Sequence, residues 1–364
     1  MQISSNTTGM QAGLTVATDK VGKDYCVIVV KGTFDIPDDA HQAVTLAEQQ
    51  VGLVYADEHY GDPGETSIKY ECDFARFKPK SDIILNATAY APGGAPVSEM
   101  EVSVTVNGTE KKLVVIGDRI WQDGVLGPKP SKPKPFESMP IIYERSFGGS
   151  DHTHDHQMHQ GSELRNLVGI GYHKNRDPKA ARGSALPNIE LPGNRIASFT
   201  DTPSPAGFGI LGRGWQPRVR YAGTYDESWL RNQRPFLPSD FDDQYFQSAP
   251  EDQQFDHFRG GEWVQCTGLT PSGRLEFAIP QLHLPVTCVF RDRVEHATCV
   301  QDTAIIEPDL RRCIVVSRAV IPIGPRLHAL REVFVGPQPK VRTSGKQSYG
   351  SLSEMIAAKH GQGG

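Results

Sequence analysis

The sequence predicts a mainly β protein, with antiparallel β-sandwich or barrel-like units at both ends of the chain, a long irregular central region and few helices. Near both ends, β-branched apolar runs alternate with turn residues, a pattern typical of short strands. Between them, Pro and Gly interrupt the chain every few residues, which leaves little room for regular elements. The same stretch is rich in aromatic residues, Arg and Asp, so we expect it to be ordered.

The N-terminal part begins with a predicted hairpin. Residues 14–18 precede a turn at 19–24, and the nearly continuous apolar run 25–36 is typical of a strand buried on both faces. Further strands are predicted at 67–75, 83–90 and 97–106. Asn107-Gly108 then supplies a two-residue hairpin turn into 111–116, the strongest local β signal in the chain. His41 to Gln50 is the one candidate helix in this part.

The C-terminal part repeats the pattern, with predicted strands at 263–268, 274–279, 286–290, 297–300, 303–306 and 313–321. The last of these, beginning at Cys313, resembles the segment from Cys26 to Ile36 in its β-branched composition. This similarity suggests that the first and last strands lie in one sheet.

These patterns divide the chain into four parts. Residues 1–126 form an N-terminal β-rich unit, and 127–258 an irregular central region packed on the sheets. Residues 259–335 form a C-terminal β unit that we expect to make one body with the first, and 336–364 a flexible tail. Gly127 to Pro135 is an extended Pro/Lys connector. In the tail, Ser351 to Glu354 resembles a capping box, so a short helix there either docks or frays.

Composition narrows the function. Hydrophobic residues are 38% and charged residues 22% of 364, as in soluble globular proteins. A net charge of -5 argues against a nucleic-acid binder. We find neither a signal peptide nor an apolar stretch of the ~20 residues that span a bilayer, so we expect a cytoplasmic protein with no membrane insertion. The six Cys lack a Cys-x-x-Cys spacing, which favours reduced thiols, with Cys26 and Cys313 in the core, over a zinc site.

One glycine motif suggests a nucleotide site and fails on its context. Gly207 to Gly212 matches Gly-x-Gly-x-x-Gly, but Pro203 and Pro205 precede it and Pro217 follows it, so neither the required strand nor the required helix fits. The Walker A and Gly-x-Ser-x-Gly patterns are absent as well. We therefore predict no cofactor.

A His-rich run at residues 151–159 is the sharpest cluster of possible ligands. Its histidines could supply nitrogen ligands for zinc or nickel, and on a helix three of them would share a face. They are His152, His154, His156 and His159. A solvated loop explains the run better, so we predict no specific metal site, with these four as the outside candidates.

Several carboxylates in the central region could form a hydrolytic site. The candidates are Glu144, Asp226, Asp240, Asp242 and Asp243. In coil rich in Pro and Gly such residues more often cap turns. A hydrolase using His and Asp, with or without metal, remains an alternative, and we predict that the protein is not an enzyme.

The aromatic residues Trp215, Tyr225, Trp229, Phe236 and Phe241 are more simply interpreted as the core of the irregular region than as a ligand site. The stretch from Tyr143 to Phe246 is still the best candidate for protein recognition, because aromatic and Arg side chains in ordered loops form binding hot spots. The candidate contact residues are Tyr143, Arg145, Phe147, Phe208, Trp215, Arg218, Tyr225 and Trp229.

Many ordered motifs resemble one family. They are Tyr60-Gly61-Asp62-Pro63-Gly64, Asp73-Phe74-Ala75, Ser81 to Asn86, Tyr143 to Gly149, Leu186 to Glu190, Pro205 to Gly209, Trp215 with Pro217 and Arg218, Gly223 to Asp226 with Trp229, and Leu237 to Asp242. Together, over about residues 3 to 325, they resemble a domain-of-unknown-function family of accessory proteins found with bacterial type VI secretion systems.

The resemblance implies an effector adaptor or chaperone. Such a protein would bind a secreted toxin effector, often one with a PAAR-like tip domain, and help load it onto the spike protein in the cytoplasm. It would need a broad binding surface and no catalytic residues. A structural component of the secretion apparatus is a further alternative.

Overall fold

The computed structural model describes residues 2–125, 127–153, 155–175, 177–323 and 329–337, together with Ser353 and Ile356. In this part of the chain, fifteen strands have three or more residues. They are β1 (Gln11–Thr18), β2 (Asp24–Asp35), β3 (Ile68–Tyr70), β4 (Ser81–Leu85), β5 (Thr88–Tyr90), β6 (Glu99–Val106), β7 (Thr109–Ile116), β8 (Ser138–Pro140), β9 (Trp263–Thr267), β10 (Arg274–Ala278), β11 (Pro285–Phe290), β12 (Val294–Thr298), β13 (Val300–Glu307), β14 (Arg312–Pro322) and β15 (Leu330–Val335).

Shorter elements join them. The two-residue strands are Ser5–Asn6, Thr45–Leu46, Glu58–His59, Trp121–Gln122, Lys129–Pro130, Phe147–Gly148, Ser150–Asp151, Gly161–Ser162, Ile170–Gly171, Ile189–Glu190 and Gln254–Phe255. The α-helices are α1 (Pro178–Ala181) and α2 (Glu227–Asn232). Single 3₁₀ turns lie at Pro92–Gly94, Tyr143–Arg145, Gln157–His159, Arg218–Tyr221, Asp243–Phe246, Glu251–Gln253 and Pro308–Leu310. The prediction of a mainly β chain with few helices is confirmed.

Three sheets form the body. The largest, sheet A, runs in the order Gln254–Phe255, β4, β13, β14, β2, β1. Sheet B has the order Ile189–Glu190, β7, β6, β9, β10, and sheet C the order Ser5–Asn6, β15, β11, β12. Strands from both ends of the chain therefore lie side by side in all three sheets. β2 and β14 pair antiparallel over eleven residues, from Asp35 opposite Arg312 to Tyr25 opposite Pro322, so the prediction that these two segments share a sheet is confirmed.

Sheets B and C pack next to each other on one face of sheet A. The larger core, against sheet B, includes Leu85, Val104 and Phe277, and the smaller one, against sheet C, includes Ile28 and Cys288. A sandwich of open sheets is thus the architecture in the described residues. Cys26 and Cys313 are fully buried, as predicted.

The opposite face of sheet A is covered by chain segments and not by a sheet. Ile84, Ile305 and Ile314 pack against Ile210 and Ala249 of the central region. Val27 and Val29 of β2 contact Leu53 and Phe74 on this face, so β2 is buried on both faces, as its apolar run predicts.

One local prediction needs correction. Residues 41–50 form no helix: Thr45–Leu46 pairs with β2, and the Gln50 side chain caps the Thr33 backbone. The Pro/Lys stretch is extended, as predicted, but it lies along the body. Lys129–Pro130 pairs with Trp121–Gln122, because proline can join a two-residue ladder through its carbonyl.

Most of the predicted tail, 336–364, lies outside the described residues. Ser353 and Ile356 are helical, and Ile356 is buried against Val289 and Phe334 of sheet C. These contacts place Ile356 on the body.

Candidate functional site

The aromatic residues of the central region form its interior. Tyr143 and Trp215 meet edge to face with their ring centroids 5.5 Å apart, and both are buried. Phe208 and Phe147 are also buried, Phe208 in the core between sheets A and B and Phe147 beside Trp121. These four side chains therefore expose little area to a partner and pack mainly in the interior, in contrast to the contact role that we predicted for them.

Arg218 is buried too, and its guanidinium fastens separate segments together. It donates to the carbonyl oxygens of Leu211 at 2.6 Å and Tyr245 at 2.9 Å, and to the carboxylate of Glu71 at 2.7 Å. A planar group with five donors suits this task, because it satisfies backbone acceptors and a charge at once. The predicted role of Arg218 in partner contact is thus replaced by a structural one.

The central region also completes the edge of sheet A. Next to β4, the Leu85 N–H donates to the Phe208 carbonyl at 3.1 Å. The Gln253 amide bridges the carbonyls of Ile83 at 2.7 Å and Phe208 at 2.9 Å, and Lys111 donates to the Gln253 side-chain oxygen at 2.7 Å. Burial lowers the pKa of Lys111, while its ion pair with Asp252 opposes this shift. The buried Gln253 side chain thus joins the edge of sheet A to the central region by hydrogen bonds, as a further strand would do through its backbone.

The glycine motif at 207–212 also has a structural role, which is close packing against two aromatic rings. A Cβ on Gly207 would lie 2.9 Å from the Tyr143 ring, and one on Gly212 would lie 2.8 Å from the Trp215 ring. These glycines allow the chain to pass close to the two aromatic rings, and no helix follows them directly. The motif therefore lacks the helix that a dinucleotide fingerprint opens.

The candidate carboxylates make separate contacts that hold the loops in shape, although Asp226 and Asp240 line the same cavity. Glu144 accepts from the Ser67 N–H at 2.8 Å, and Asp240 accepts from the Thr224 hydroxyl at 2.7 Å. Asp226 caps the N-terminus of α2, and Asp242 caps the 3₁₀ turn Asp243–Phe246. Asp243 pairs with Arg76 at 2.6 Å; burial raises the pKa of Asp243, and Arg76 lowers it.

The His-rich run forms a surface loop. Asp151 is buried at its start and accepts from Thr153 and Lys174, and the His156 ring accepts from the Met158 N–H. His152, His156 and His159 are exposed, and the rings of the last two are 6.0 Å apart. His154 lies outside the described residues. In the described part of the chain, no three His, Cys, Asp or Glu residues lie close enough to hold a metal.

A group of exposed apolar side chains lies on residues 222–240, which we term the arm. Tyr225 and Leu230 of the arm are 55% and 52% exposed, and Phe236 is 39% exposed. Phe236 adjoins Val21, at the tip of the β1–β2 hairpin, which is 79% exposed. Tyr225 stacks edge to face on the half-buried Trp229 with centroids 4.8 Å apart. We term these five side chains the arm patch.

Hydrogen bonds keep the arm in place. Asp226 accepts from the Trp229 N–H at 2.8 Å, and the Trp229 indole donates to the Phe236 carbonyl at 2.9 Å. The Gln233 amide donates to the carbonyl oxygens of Lys20 and Leu237, which joins the arm to the hairpin tip. The arm patch is therefore presented on a fixed support.

Two shallow cavities flank this support and share Gln233 and Ser239. One, of about 410 Å³, is lined by polar arm residues and Trp229. The other, of about 280 Å³, lies between Phe236 and Val21. Cavities of this size beside exposed aromatic side chains can receive side chains of a protein partner.

Sequence reasoning found part of this surface. Of the eight predicted contact residues, Tyr225 and Trp229 belong to the arm patch, and Arg145 is half-buried with its guanidinium 3.2 Å from the Asn188 side-chain oxygen. Val21, Leu230 and Phe236 were missed. The signal for Val21 is an apolar residue inside a turn of charged residues and glycine, where its side chain is expected to be exposed.

One family model matches residues 21–318, and its description reads "Uncharacterized protein conserved in bacteria" (DUF2169). The chain belongs to this family. Comparisons with curated proteins and with solved structures found no match. The matched residues include the arm and most of sheet A, so the surface described above lies within the family's own region. Among the described residues, no helix is long and apolar enough to cross a membrane.

Proposed function

We propose that the chain is a cytoplasmic adaptor of a bacterial type VI secretion system. It binds a toxin effector, often one with a PAAR-like tip domain, and helps load that effector onto the spike protein. The sequence motifs resemble those of accessory proteins of such systems, and the chain belongs to a bacterial family whose description assigns no activity.

The arm patch is the observation that carries the proposal. Exposed aromatic and aliphatic side chains on a fixed support lose little entropy when a partner covers them, and Trp and Tyr dominate binding hot spots. An adaptor requires such a surface and no catalytic group. The five candidate carboxylates, which would serve a hydrolase, are already engaged in caps, loop contacts and an ion pair.

Co-production tests the proposal. The chain is produced together with the products of its neighbouring genes, and the complex is purified through a tag on the chain. We expect a toxin or tip protein among them to co-purify at a defined ratio. If none does, the adaptor function is refuted.

Two variants separate the arm patch from the rest of the surface. Leu230→Glu replaces one exposed apolar side chain of the arm patch with a charged one and should reduce co-purification at least tenfold, about 1.4 kcal/mol of binding free energy. Leu310→Glu is the matched control, because Leu310 is 58% exposed on a 3₁₀ turn outside the arm. Equal loss in both variants would exclude the arm as the contact surface.

A further inference from the structure

The outer edge of sheet A is a long strand that has a partner on one side only. β1, with the sequence QAGLTVAT, pairs with β2 along all eight of its residues. No second strand pairs with β1 in the described part of the chain, and its residues make no backbone hydrogen bond to any other described segment. One row of backbone donors and acceptors therefore faces outward.

The register shows which residues supply that row. In the turn of the hairpin, the Asp19 N–H donates to the Lys23 carbonyl at 3.0 Å. In antiparallel pairs, hydrogen-bonded and non-bonded positions alternate along the strand. Because 19/23 is a hydrogen-bonded pair, the opposed pairs 18/24, 16/26, 14/28 and 12/30 are non-bonded. The N–H and C=O groups of residues 12, 14, 16 and 18 therefore point away from β2.

This edge lacks the features that usually prevent a strand from pairing with another chain. Such edges commonly contain charged residues, proline or a bulge, or they are very short. β1 has no charged residue, no proline and no shift in register. By contrast, the outer strand of sheet B contains Arg274 and Glu276, and the outer strand of sheet C contains Glu295. The opposite edge of sheet A is only two residues long.

We propose that β1 pairs antiparallel with β1 of a second copy of this chain, so that two sheets A join into one continuous sheet across a two-fold axis. A two-fold axis brings the same short segment of both copies together, and like charges opposite each other destabilise such a pair. β1 contains no charged residue, so two paired β1 strands would place no like charges opposite each other. The hairpin tip of each copy, with Asp19 and Lys20, would lie beside residues 6–10 of the other, which are also uncharged.

The test measures the molar mass of the whole chain by light scattering over a wide range of concentrations. We expect the mass to rise to twice 40.0 kDa. Val16 is 36% exposed on β1, and Val16→Lys places two ammonium groups near the axis. This variant should remain at 40.0 kDa under the same conditions. Val21→Lys, the same change in the hairpin turn but off the edge, should dimerise as the unaltered chain does.

Val16→Pro provides a second test, because it removes an outward N–H that β2 does not use, and edge strands tolerate proline. It should also be monomeric, with an unchanged far-ultraviolet circular dichroism spectrum. An unaltered chain that is monomeric at every concentration, or a Val16→Lys chain that dimerises, would overturn the proposal.

Hydrogen exchange identifies the interface. The amides of Ala12, Leu14, Val16 and Thr18 should exchange slowly in the dimer and quickly after dilution, because no other described segment accepts a hydrogen bond from them. A dimer in which these amides exchange quickly would place the interface elsewhere and refute the role of β1. The dimer does not depend on the proposed adaptor function. Val21→Lys should weaken effector co-purification and keep the dimer, whereas Val16→Lys should abolish the dimer and keep effector co-purification.

Discussion

Replacing Asp82 with Ala should destabilise the fold by about 3–5 kcal/mol, because it leaves a buried ammonium group without its counter-charge. Asp82 is fully buried in β4, and its carboxylate accepts from Lys78 at 2.7 Å. It also accepts from the Gln247 amide at 2.7 Å and from the Ser248 N–H at 2.9 Å. Gln247 and Ser248 belong to the central region, so this carboxylate fastens that region to sheet A.

The expected shift in melting temperature follows from the size of the chain. An unfolding entropy of roughly 2.1 cal/mol/K per residue gives about 0.76 kcal/mol/K for 364 residues. A loss of about 4 kcal/mol then lowers the melting temperature by roughly 5 °C. Differential scanning calorimetry resolves a shift of this size.

The chain contains a control with the same sequence spacing. Glu227 and Arg231 are also four residues apart and 2.9 Å from each other, but their side chains are 83% and 74% exposed, whereas those of Asp82 and Lys78 are 0% and 3% exposed. Because water screens the exposed pair, Glu227→Ala should cost only about 0.3–0.5 kcal/mol. The double variant Lys78→Met/Asp82→Ala should recover part of the loss, since it removes the unpaired charge. Equal small costs for Asp82→Ala and Glu227→Ala would refute the reasoning.

Three further predictions concern the rest of the chain. Gly117→Ala should cost about 1–3 kcal/mol in chemical unfolding, because its Cβ would lie 1.7 Å from the Lys134 carbonyl oxygen; Gly52→Ala, which meets no atom within 4 Å, is the control. Burial lowers the pKa of His173 and Asp151 opposes the shift, so the folded chain binds this proton less readily than the unfolded one. The stability that neutral His173 contributes is present above its unfolded pKa of about 6.5 and is lost as the pH falls toward the lower folded value. His173→Gln should therefore reduce the pH dependence of the free energy of unfolding over that interval. Metal analysis of chain purified without a His tag should find less than one equivalent of zinc or nickel, and a full equivalent that survives dialysis would contradict the loop interpretation of the His-rich run.

Local signals in the sequence predicted the hairpins well. Asn107 and Gly108 both adopt positive φ values, 47° and 86°, as the two-residue turn between β6 and β7 requires. The apolar run of β2 correctly indicated burial on both faces, since all five residues from Cys26 to Val30 are apolar. These features depend on neighbouring residues, so one sequence contains enough information to predict them.

Long-range side-chain contacts were beyond such reasoning, although the pairing of β2 with β14 was predicted from their similar composition. Nothing near Gln253 in the sequence indicates that its amide bridges the carbonyls of Ile83 and Phe208, 170 and 45 residues away. The same limit explains the aromatic residues: composition identified Tyr143 and Trp215 as important, but only the fold shows that they face each other in the interior. A pattern of residue types can thus identify side chains that are important for the protein. It is less reliable in predicting whether those side chains are exposed to a partner.

The distribution of these contacts separates two tasks within the central region. Arg218, Gln253 and the partners of Asp82 join the region to sheet A and are buried, so substitutions there should uncover the outer face of the sheet and reduce stability. The arm patch contributes few contacts to that interior, and its own support comes from Asp226, Gln233 and the Trp229 indole. Apolar residues on the patch can therefore change without loss of the fold. A protein that must recognise one particular partner benefits from this arrangement, because its specificity can be altered on the arm while its body stays the same.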